Sequence, residues 1–231
     1  MKNCPVAIKL IFVFGTVWVL AACSSGPRPP DWQVEAKGSM ERSVAAYMEG
    51  NSRVEAAELG RARSQLSRAG RPALLATAEL LHCASRVASL VFGPCTGFEP
   101  LLADATPSQR AYDDYLRGQV PPEAIALLPP AQRAAAAGDA SALAGMADPL
   151  SQLLAAGVLL QTGRASPSVI AQAIDTASAQ GWRRPLLAWL GVQLQRAEQG
   201  GDMQEAARLR RRMAIAQGPE ATVKEFGKEE K

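Results

Sequence analysis

"DPLSQLLAAGVLLQ", residues 148 to 161, decides the fold. Leu150, Leu153, Leu154, Gly157 and Leu160 recur at the three- and four-residue spacing of one helical face, and Val158 and Leu159 widen it. A stripe this broad predicts a helix at the centre of a fold rather than on its surface. Gly157 weakens that helix by about 1 kcal/mol relative to alanine. Its missing side chain predicts the close approach of a neighbouring helix.

The same period continues on both sides of this segment. Ile170, Ala173, Ile174 and Ala177 mark the next apolar face, and Leu187, Leu190 and Leu194 the one after. Helix starts are spelled out locally. "SRVE" (52 to 55) and "TPSQ" (106 to 109) read as capping boxes, and Asp202 with Glu205 gives a third start. Asp148-Pro149 and Ser166-Pro167 are further entries, with proline at the first helical position, where its missing donor costs nothing. No run of alternating β-branched residues between hairpin turns occurs, so strands are not expected. The chain is predicted to be all-α, from residue 39 to 217.

Glycines punctuate this region at Gly50, Gly70, Gly93, Gly118, Gly138, Gly163, Gly181, Gly200 and Gly218, about one helix and a turn apart. A helix pair then occupies roughly 40 residues, the scale of α-solenoid repeats. "LAWLGVQLQRAEQGGDMQEAARL", with its aromatic and Leu-Gly followed by Gly-Asp and a small-residue helix, weakly resembles a tetratricopeptide hairpin, though its spacing departs from that pattern. Two architectures follow: an irregular array of antiparallel helical hairpins, or a helical bundle. "LLPPAQRAAAAGDASALAGMADP" reads either as a hinge between sub-lobes 39 to 128 and 139 to 217 or as closely packed alanine helices. The tail from 218 to 231 mixes charges without an apolar stripe and is expected to fray.

The amino terminus has a different character. Lys2 and Lys9 precede an uncharged apolar run, "LIFVFGTVWVL", which is too short for a permanent membrane span and ends in small residues, as export signals do. Leu20-Ala21-Ala22-Cys23 closes it. This order of charge, apolar core, small residues and cysteine resembles the lipobox signal of bacterial lipoproteins. The resemblance implies cleavage after residue 22, thioether-linked diacylglycerol on Cys23 and acylation of the new amino terminus. Acyl chains at about 0.8 kcal/mol per buried CH₂ anchor a protein without a spanning helix. Ser24 stands where aspartate favours inner-membrane retention in Gram-negative bacteria, so the resemblance implies the periplasmic face of the outer membrane.

"SSGPRPPD" follows the lipid, and its prolines predict an extended tether, placed at 23 to 38, whose proline-rich part reaches on the order of 25 Å at ~3.1 Å per residue. Trp32 either lies at the headgroup level or opens the fold. Loss of Lys2 and Lys9 with the signal brings the 25 basic residues to within one of the 22 acidic ones. The pI of about 8.8 for the whole chain overstates the charge of the remainder. No field strong enough to imply a nucleic-acid partner is left.

In an oxidising compartment paired cysteines bond. Cys4 leaves with the signal and Cys23 carries lipid, so Cys83 and Cys95 are expected to join. Their α-carbons must come within about 7 Å, and "ASRVASLVF" is expected to continue the helix before Gly93-Pro94 turns the chain back. No metal is expected: His82 and Cys83 are consecutive on a helix, about 100° apart, and four ligands at paired spacings are missing. His82, the sole histidine, reads as a partly buried helix residue rather than a base.

Catalytic signatures built on a serine elbow, a zinc-binding His-Glu-x-x-His or a phosphate-binding glycine loop do not occur, so neither an enzyme nor a cofactor is expected. Two surface features stand out. Arg208, Arg211 and Arg212 share one side of a helix whose other stripe is Ala206, Leu209 and Met213; this reads as a solvated face or as a docking surface for an acidic partner or anionic lipid. Tyr112 and Tyr115 are expected to pack between helices. These readings converge on a lipid-anchored outer-membrane protein with a helical domain that binds an envelope protein as scaffold or assembly factor. The alternative is an envelope enzyme or binder acting on peptidoglycan or a small ligand.

Overall fold

The structure is a computed structural model that describes residues 29–218. The segment read as a signal, Cys23 and the residues beyond 218 lie outside the described residues. Within them the chain is all-α, with no strand. Nine α-helices follow in order: α1 (Asp31–Glu49), α2 (Ser52–Arg68), α3 (Pro72–Ala88), α4 (Pro107–Leu116), α5 (Pro130–Ala136), α6 (Pro149–Gln161), α7 (Pro167–Ala179), α8 (Arg183–Gln199) and α9 (Met203–Gln217). Short 3₁₀ turns at Glu99–Leu101, Pro122–Leu127 and Ala140–Gly145 fill the middle.

Most local signals do what they predict. Thr106 and Gln109 form a reciprocal capping box over Pro107. Asp148, Ser166 and Asp202 each accept a backbone N–H from the first turn of their helices. The punctuating glycines have positive φ except Gly200, whose neighbour Gly201 takes the left-handed position instead. "SRVE" is the exception. The cap of α2 is Asn51, whose side chain accepts from Val54 N, and Ser52 is already helical. Ser52 Oγ instead accepts from Arg184 on α8 (2.9 Å), and Glu55 reaches His82 rather than its own cap.

The segment 148 to 161 is central, as its stripe predicts, but it is buried on nearly every side rather than on one face. Leu153 and Leu159 pack into a cluster around Trp189 with α7, α8 and α9, which also takes in Tyr47 and Met48 of α1. Leu154 and Val158 face the opposite way, into a cluster around Phe98 and Tyr115 with α3, α4 and α5. A third cluster joins α1, α2 and α3 through Met40, Leu59 and Ala78.

Antiparallel hairpins are present in α1–α2 and α7–α8–α9. In an open solenoid each unit touches only its neighbours. Here α3 packs on α6 and α1 on α8, so the hairpins close into a bundle. Helix α6 contributes side chains to both of these cores, on either side of the division at 128 to 139. The alanine-rich middle is packed: Gln132 of α5 accepts from the Tyr115 hydroxyl (2.7 Å) and donates to Ser151 O.

The expected tether of 23 to 38 is also shortened. Helix α1 starts at Asp31, with a carboxylate in its first turn where the helix dipole favours it. Trp32 and Ala36 bury against the α1–α2–α3 cluster, so Trp32 opens the fold.

Candidate functional site

The rare reactive residues converge at the end of α3. Cys83 and Cys95 form a disulfide with α-carbons 5.8 Å apart, as elimination of the other cysteines predicts. The path between them is not the expected one. Helix α3 stops at Ala88 instead of running to Phe92. Leu90 takes a left-handed conformation (φ 61°), and Val91 N donates back to Arg86 O (2.9 Å), the hydrogen-bonding pattern of a glycine-type helix stop on a leucine. The side chain of Leu90 packs against the Trp189 cluster, which offsets the backbone strain.

The loop is anchored at both ends and exposed at its tip. Cys95 and Phe98 are buried in the second core, whereas Val91 and Phe92 are each 39% exposed. Two apolar side chains are thus presented on a short clamped loop. Gly97 is required behind it, since a Cβ there would sit 1.9 Å from Glu79 Oε2.

A cavity of about 340 Å³ lies under the loop, lined by Arg63, His82, Arg86, Asp113 and Phe92 with the disulfide. Its ionisable groups are mostly committed. Arg63 of α2 forms a bidentate pair (2.6 and 2.7 Å) with Glu79, a carboxylate buried in α3. His82 Nε2 lies 3.0 Å from Glu55 Oε1, with the Tyr47 ring edge-on to the imidazole. His82 is therefore a partly buried helix residue, as read from sequence, and the structure adds its carboxylate partner Glu55. Asp113 pairs with Arg117 (2.9 Å), yet its Oδ1 has no partner among the described residues. Burial pushes the Asp113 carboxyl above its usual range, and Arg117 only partly opposes this. Arg86 is exposed and makes no ion pair among the described residues. With the cysteines bonded to each other, neither thiolate is available as nucleophile or ligand.

Tyr112 and Tyr115 pack between helices as expected, with ring centroids 6.1 Å apart. The arginine face of α9 is narrower than its sequence implies. Glu205 holds Arg208 in a two-pronged pair (2.6 and 2.6 Å), and Arg210, on the adjoining side, pairs with Glu198 of α8. Arg211 and Arg212 remain as the outward cations, while Ala206 and Leu209 are buried.

Sequence patterns miss three parts of this arrangement: the pairing of buried Glu79 with Arg63, the Asn51 cap, and Arg184. Arg184 lies over the Tyr47 ring (4.2 Å) and donates to Tyr47 O (2.7 Å). The only local signal for any of them is Asn51, a strong cap former one residue before Ser52. No helix among the described residues is long and apolar enough to cross a membrane. Comparison of the chain with protein-family models, with curated proteins and with solved structures finds no match.

Proposed function

We propose that the protein is a lipoprotein anchored through Cys23 to the periplasmic face of the outer membrane, whose helical domain binds another envelope protein as a scaffold or assembly factor. The observation that carries this reading is the Cys83–Cys95 loop. A disulfide suits an exported chain, and it leaves Cys23 of the lipobox as the sole cysteine outside it once the signal is removed. The same bond braces Val91 and Phe92 at the surface, and exposed apolar side chains held in place suit recognition of a partner at low entropic cost. Arg86 beside them, with no ion pair among the described residues, adds a positive charge for selectivity.

The test is photo-crosslinking in intact cells, with a benzophenone side chain at position 92 of the Cys23-anchored protein. Capture of a distinct envelope protein, lost when the probe is moved to the far side of α9, supports the proposal. Recovery of nothing but lipid and the protein itself sinks the scaffold role.

A second reading, binding of a small envelope ligand, rests on the 340 Å³ cavity and the unpartnered Asp113 Oδ1. Peptidoglycan fragments that raise the melting temperature of the native protein but not of an Asp113→Asn variant would favour it. A melting temperature unmoved by these fragments counts against it.

A further inference from the structure

A groove of about 450 Å³ runs between α3, α4 and the segment 127 to 129. Its walls are Leu80, Leu81, Tyr112, Leu127, Leu128 and Pro129, and no charged residue among those described lines it. Apart from the Ser108 and Tyr112 hydroxyls, the polar side chains that line it, Gln109 and Thr77, are already spent within the fold. Gln109 Nε2 donates to Ala73 O (2.7 Å) and to Thr77 Oγ1 (3.0 Å), and Gln109 Oε1 accepts from Thr106 N. The Thr77 hydroxyl donates to Ala73 O. A guest therefore gains little from hydrogen bonding here, and a peptide would leave backbone groups unpaired. The chemistry that fits is an aliphatic chain, which loses nothing by lacking polar partners.

The position of the groove relates it to the amino terminus. Leu81 lines the groove and also packs against the α1–α2–α3 cluster, which holds Trp32 from the first turn of α1. The chain upstream of α1 therefore departs from a helix that packs directly on α3. Residues 23 to 30 span on the order of 25 Å when extended, enough to bring Cys23 alongside α3.

We propose that this groove receives an acyl chain of the chain's own lipidated Cys23. The inference rests on the lipoprotein reading above. Such docking would shield part of the lipid while the protein is away from a bilayer, and release it on insertion.

The experiment uses the full-length protein, processed in cells and purified in a detergent-free amphipol, with a photoreactive side chain at the exposed groove position Ser108. The expected product is an intramolecular crosslink between the peptide carrying position 108 and the acylated Cys23 peptide. Leu127→Glu, a change at a 44% exposed wall residue, should abolish that crosslink while circular dichroism shows the same melting. Crosslinks to phospholipid or to another protein, or undiminished crosslinking in Leu127→Glu, overturn the proposal. Intact-mass analysis separates the two levels. Diacylglyceryl-Cys23 without the crosslink refutes the groove alone, whereas an unlipidated Cys23 refutes the anchoring too.

Discussion

Gly157 of α6 meets the carbonyl of Val87 in α3 so closely that a Cβ would stand 2.5 Å from the oxygen. This contact joins the two central helices and sets how near they lie. Gly157→Ala should gain up to ~1 kcal/mol of helix propensity and lose more, about 1–3 kcal/mol, to the backbone shift it forces. Gly191→Ala in α8, where nothing among the described residues lies within 4 Å of the added carbon, should only gain. Urea midpoints moving in opposite directions for the two variants would bear this out. Equal stabilisation would show that the α3–α6 approach is looser.

The disulfide closes a short loop, and in the chain-entropy picture such a closure is worth about 3 kcal/mol. The double variant Cys83→Ala/Cys95→Ala should lose about that much in urea unfolding, and native protein unfolded in strong reductant should match it. If oxidised and reduced protein unfold at the same midpoint, the loop does not restrain the unfolded chain.

Capping of α2 distinguishes neighbouring residues. Asn51→Ala should cost about 1 kcal/mol by orphaning Val54 N. Ser52→Ala removes only an exposed contact with Arg184 and should stay within about 0.5 kcal/mol. A reversed order in thermal melts would return the cap to Ser52.

Asp113 makes stability depend on pH in a stated direction. Its carboxyl is raised by burial, so the folded state holds the proton more tightly than the unfolded chain does. The resulting stabilisation is complete below the ordinary carboxylate range and is lost as pH rises through the raised value. The stability of Asp113→Asn relative to native protein should therefore increase as pH rises through and above the ordinary carboxylate range. A flat difference, or one running the other way, would mean that Arg117 outweighs burial.

What could be read from the chain alone was whatever neighbouring residues decide together. Caps at Thr106, Asp148, Ser166 and Asp202, left-handed glycines and the 3.6-residue period each involve groups within a few positions, so propensity and hydrogen bonding act before tertiary contacts form. The Cys83–Cys95 pair was reachable by elimination, and the central place of residues 148 to 161 followed from the breadth of their stripe. The packed structure decided the rest, through contacts between residues far apart in the chain. Arg184 accounts for Ser52 from 132 residues away, Glu79 is buried only because Arg63 of another helix pairs with it, and Trp189 donates to Ala88 O across 101 residues. Helix α3 ends at Ala88 because the left-handed Leu90 turn lets that side chain reach the core, a gain no local propensity contains. Closure of the hairpins into a bundle has the same origin. Apolar faces read from sequence are complementary to many partners, and only their mutual fit selects α1 against α8 and α3 against α6.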